Sequence, residues 1–130
     1  SVTASLTTTS IIRMVEVPAH CHVTDLYFKS AAQGAGKFDV GAYRTNADGG
    51  AVVDQDYFAS AVDCASAVVR TDVLDESTTN TVAKQNQPLW QALGMTEPAK
   101  GVMLDIALTV VTTDVTTGTG AVSLEAGYVM

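Results

Sequence analysis

Apolar side chains return at every second position along most of this sequence, a period that marks strands buried on one face. The clearest case is Gly101–Thr112 (GVMLDIALTVVT). Val102, Leu104, Ile106, Leu108 and Val110 share one face there, and Asp105 and Thr109 take the other. Ala121–Val129 (AVSLEAGYV) repeats the pattern, with Val122, Leu124, Ala126 and Tyr128 inward and Ser123 and Glu125 outward. Because Thr113–Gly120 (TDVTTGTG) between them is turn chemistry, the two segments read as an antiparallel hairpin at the end of the sequence.

Upstream, His22–Ser30 puts Leu26 and Phe28 inward and Val23, Asp25, Tyr27 and Lys29 outward. Lys37–Thr45 does the same with Phe38, Val40 and Ala42 against Lys37, Asp39 and Tyr43. Ile11–Val17 is a β-rich run closed by Pro18, which has no N–H to donate to a ladder. Ala67–Val73 reads as a strand and Thr79–Ala83 as a shorter one. Gln33–Gly36 is a turn, and Asn46, Asp48, Gly49 and Gly50 supply positive-φ residues for a reversal into Ala51–Val53. Asp54–Cys64 (DQDYFASAVDC) loses the period and reads as a short helical turn or a loop tucked onto the core. In PLWQALG, Pro88 opens a helix and Gly94 ends it, so this segment predicts a short helix capping an open end.

Turn signals every 8 to 15 residues or so, and no long amphipathic helix to carry parallel crossovers, point to an all-β fold: an antiparallel β-sandwich, jelly-roll-like, with one short helix. Leu26, Phe28, Phe38, Val40, Leu104, Ile106, Leu108, Val122 and Leu124 are the expected core. Residues 1–10, almost all Ser, Thr and Ala around Val2 and Leu6, read as a frayed terminus or an extended N-terminal arm, the arm being the expectation carried forward, and 11–130 is left as a single sandwich domain.

Composition changes the picture in one respect. Charged residues make up 16% of the 130, against roughly 25% in ordinary soluble domains. Threonine, present 17 times, covers much of what charge usually covers. A weakly charged exterior resists association poorly, which suits a subunit with neighbours. Seven Lys and Arg against 14 Asp and Glu leave a net charge of −7, and the basic residues are scattered singly, so no direct contact with nucleic acid is expected. Neither an apolar run of about 18 residues nor a basic-then-apolar N-terminal block is present, so neither a membrane span nor an export signal is expected.

Candidate chemistry is sparse. In a strand, His20 and His22 point to one face and Cys21 to the other, so the triplet does not converge on a metal. Cys21 and Cys64 read as free, buried thiols in a reducing compartment, with a single disulfide between them as the alternative. Asp48, Asp54 and Asp56 bracket the Gly49–Gly50 turn, but their spacing does not match a calcium loop, and they read as a solvated acidic segment. No nucleophile elbow or phosphate-cradling glycine loop occurs. The expectation is a protein with no catalytic residues, metal or cofactor.

The stretches "VPAHCHVTDLYF", "FDVGAYRTNADGGAVVDQDYFAS", "PLWQALGM" and "VMLDIALTVVTTDVTTGTGAVSLEAGYVM", in that order, resemble small virion proteins of tailed bacteriophages encoded near the major capsid protein, the head decoration or cement proteins. The resemblance implies a structural protein made in the host cytoplasm and placed on the capsid exterior. It would bind the major capsid protein and copies of itself, as a dimer or trimer. Val2, Leu6, Ile12, Met14, Val23 and Tyr27 are the interface residues expected on this reading. The alternative is a glycan- or host-surface-binding sandwich, for which Tyr43, Tyr57 and Trp90 are the candidate contacts.

Overall fold

A computed structural model describes residues 11–30, 37–63, 68–74, 84, 87–110 and 122–129. The expected arm with Val2 and Leu6, the Gln33–Gly36 turn, Cys64, the Thr79–Ala83 strand and the Thr113–Gly120 loop lie outside the described residues. The fold is all-β. Strands β1 (Ile11–Pro18), β6 (Met103–Val110), β3 (Lys37–Arg44) and β4 (Val52–Asp63) form a four-stranded sheet in that order, and β5 (Val68–Asp72), β2 (His22–Ser30) and β7 (Val122–Val129) form a three-stranded one. Every pairing is antiparallel.

The two sheets share one core in a sandwich-like arrangement, with Phe28 of β2 meeting Phe38 of β3 edge to face at 6.2 Å. Leu26, Val40, Leu104, Ile106 and Leu108 are fully covered, Leu124 is buried opposite Phe28, and Val122 packs on the core partly buried. The short helix α1 (Leu89–Ala92) lies across the β1–β2 turn: Leu89 N–H donates to the Cys21 carbonyl at 2.8 Å and Trp90 N–H to that of Ala19 at 3.0 Å. Leu89 and Ala92 are buried beneath it, and Gly94 follows with φ of 77°. The capping role expected of PLWQALG is the one observed.

Three expectations are corrected. First, β6 and β7 are not a hairpin. β6 pairs with β1 and β3 while β7 pairs with β2, so the two strands belong to different sheets. Second, residues 54–63 are strand, not helix or loop. β4 spends 12 residues against the seven of Lys37–Tyr43, and three register shifts break its alternation. Third, β3 is buried on both faces: Asp39 and Tyr43 are expected outward, yet both are buried. A smaller correction concerns Tyr128, which is 43% exposed because a register shift between Val23 and Asp25 breaks the β2–β7 alternation before the end of β7.

Candidate interaction surface

The outer face of the four-stranded sheet is occupied by a polar lock. Register places Asp39, Gly41 and Tyr43 of β3 beside Thr109, Ala107 and Asp105 of β6. From the level of Asp105 the Tyr43 hydroxyl reaches Thr109 Oγ1, at 2.6 Å, so its ring runs along the sheet past the level of Ala107. Arg13 lies against the ring, 5.5 Å from its centroid, and its guanidinium donates to Asp105 Oδ2 at 2.8 Å, to the Arg44 carbonyl at 2.8 Å and to the Gly50 carbonyl at 3.0 Å. One side chain thus ties β1, β6 and the β3–β4 turn together. On the same face, Asp39 accepts from Gln55 Nε2 at 2.9 Å and from the Ala61 N–H at 2.8 Å, holding Ala61 at its φ of 53°.

Tyr43 is only 3% exposed and Tyr57 1%, so neither is the exposed platform a glycan needs. Tyr57 turns inward because β4 bulges between Asp54 and Ala59, which buries Tyr57 and Phe58 as an edge-to-face pair 4.9 Å apart. Trp90 is partly buried against the core, tilted on His20 at 6.2 Å. Removing the Tyr43 hydroxyl strands the buried Thr109 hydroxyl. Tyr43→Phe is therefore expected to lower stability by about 1 to 2 kcal/mol in urea unfolding, with an unchanged fold by circular dichroism. A loss of a few tenths would mean that the bond is not made.

Of the expected interface residues, Ile12, Met14 and Val23 pack against the core from partly buried positions. Tyr27 is half-buried on β2, opposite Glu125 and Asp72. The exposed large apolar residues among those described are Ile11, Val52, Tyr128 and Val129, and the register spreads them over both sheets.

Titratable groups serve the fold. Cys21 is a free, buried thiol whose burial pushes its pKa from 9.0 to about 11, a backbone hydrogen bond offsetting part of this. Burial, then the charge of Asp54, pushes the Tyr57 phenol from 10.0 to about 12. Asp54 itself is raised, by burial first and then by its hydrogen bond with Asp56. For Cys21 and Tyr57 the unfolded chain gives up its proton at a lower pH than the folded one. Their neutral forms thus leave stability undisturbed below about pH 9 and cost it increasingly as pH rises towards 11 to 12. The matching expectation is that Cys21 in a Cys64→Ser chain stays unlabelled by a thiol reagent at pH 8 until denaturant is added. Labelling at the rate of a free thiol would contradict that burial.

His20 Nε2 stands 3.7 Å from Glu97, and Asp48 accepts from Arg44 at 3.2 Å. Among the described residues no three His, Cys, Asp or Glu side chains converge. The surface feature that stands out lies where β6 begins. Gly101, Val102 and Met103 form a ridge between two shallow grooves. Pro18, His20 and Lys100 line one, and Glu16, Ala47 and Asp48 help line the other. Ala19 N–H, donating to the Val102 carbonyl at 2.9 Å, fixes the ridge to the β1–β2 turn. The sequence hid this feature because Val102 looks like one more core position of the β6 pattern. No family model, curated protein or solved structure matches the chain.

Proposed function

We propose that this chain is a structural virion protein, made in the host cytoplasm, that decorates and stabilises the outside of a bacteriophage capsid by binding the major capsid protein as a homo-oligomer. The observation that supports it most is the outer-face lock. Arg13, Asp39, Tyr43 and Asp105 are spent cross-linking strands. At the capped end the half-buried Val102 and Met103 lie between grooves with charged rims, a surface for contact. A chain of charge −7 has no reason to lie among packaged DNA, and weak contacts repeated over a lattice add through multivalency. A jelly-roll-like connectivity is part of the proposal. Among the described strands, five of the six links from one to the next cross from sheet to sheet and β3–β4 is a hairpin, which is how a jelly roll is wound.

The test adds purified chain to capsids that lack it. Expected are saturable attachment to the outer surface seen by electron microscopy, and shells that survive heating better with it than without. A chain that remains a monomer and ignores the shells would overturn the proposal.

A further inference from the structure

We infer that the Gly101–Met103 ridge and its two flanking grooves are a two-fold contact between two copies of this chain, an inference that rests on the homo-oligomer reading above and assigns its surface. A two-fold interface uses the same patch on both partners, so that patch must complement itself. This one does. The half-buried Val102 and Met103 are shared by both grooves and stand at the centre. The rims carry opposite charge. One acid lining the second groove, Asp48, is already paired with Arg44. Lys100 on the first rim and Glu16 on the second are exposed and have no ion-pair partner among the described residues.

Turning a second copy by 180° about an axis that runs along the ridge lays ridge on ridge and carries the Lys100 side of each copy onto the Glu16 side of its partner. Two such contacts set the register, and the apolar centre supplies the affinity. For a chain with net charge −7, association of like copies needs such a local match, because the molecules otherwise repel.

Sedimentation velocity on the full chain tests this. The wild type is expected at twice the chain mass of 13.5 kDa. Lys100→Glu and Glu16→Lys each place like charges opposite one another and are expected to weaken the dimer by about tenfold or more, whereas the double variant restores it. Both sites are exposed, and circular dichroism checks that the variants stay folded. A trimer, an oligomer indifferent to both substitutions, or a double variant no better than the singles would overturn the inference while leaving the capsid proposal standing. Loss of shell attachment by Lys100→Glu with an unchanged oligomer would give the ridge to the capsid protein instead, and overturns it too. A monomer that also ignores shells would remove both.

Discussion

Gly41→Ala is expected to cost about 3 kcal/mol or more, enough to leave a domain of this size partly unfolded at physiological temperature. A Cβ at Gly41 would overlap the backbone carbonyls of Asp54 and Gln55, which cross β3 at that point. Backbone cannot rotate aside as a flexible side chain can, so β4 must move. Its movement would disturb the contacts the crossing creates. Gln55 would leave Asp39, and the bulge that turns Tyr57 and Phe58 into the core would lose its anchor. Gly49→Ala is the control. Gly49 has φ of 89° and open space around it, so alanine there carries only the left-handed backbone penalty of about 1 to 2 kcal/mol. Urea midpoints of the two variants separate a steric clash from a conformational one. A Gly41→Ala loss no larger than the control's would show that β4 does not press on β3.

That crossing also explains what alternation could and could not reveal. β2, β3, β6 and β7 were legible because each keeps a two-residue period over most of its length, and burial follows that period on the core side as far as the register shift that leaves Tyr128 exposed. β4 was not, because its extra residues oppose no partner and the polar-apolar order restarts after each shift. Nor does alternation say which strand pairs with which. The Thr- and Gly-rich linker before β7 reads the same whether it turns back within a sheet or steps to the next one.

The outer face of β3 was misread for a related reason. Asp39 and Tyr43 fall on the polar side of the pattern, and only the three-dimensional neighbours Arg13, Gln55 and Thr109 make that side an interior. The motif DVGAY joined to its downstream acids and aromatics is therefore a set of packing instructions: a carboxylate for the Ala61 N–H, a glycine for the crossing strand, and a tyrosine to cover the face. The ridge at Val102 was invisible for the opposite reason, since a residue that continues a core pattern gives no sign that it stands at the rim.

Arg13→Met is the second large effect, expected at about 3 to 5 kcal/mol. Asp105 has a side chain only 11% exposed and takes its short ion pair from Arg13. Without the guanidinium its carboxylate stays in a poorly hydrated place with no opposite charge, and the Arg44 and Gly50 carbonyls lose a donor. Arg13→Lys keeps the charge but cannot satisfy three acceptors with one fork, so it should fall between wild type and Met. The decisive comparison is Arg13→Met combined with Asp105→Leu. If most of the single-variant cost comes from stranding Asp105, the double variant should recover 2 kcal/mol or so of the summed losses, since an apolar pair needs no partner. Because the pair is shielded, the cost should persist in about 1 M salt, where an exposed pair would be screened. Strictly additive losses, or a penalty for Arg13→Met below about 1 kcal/mol, would mean that the guanidinium decorates the sheet and does not hold β1 to it.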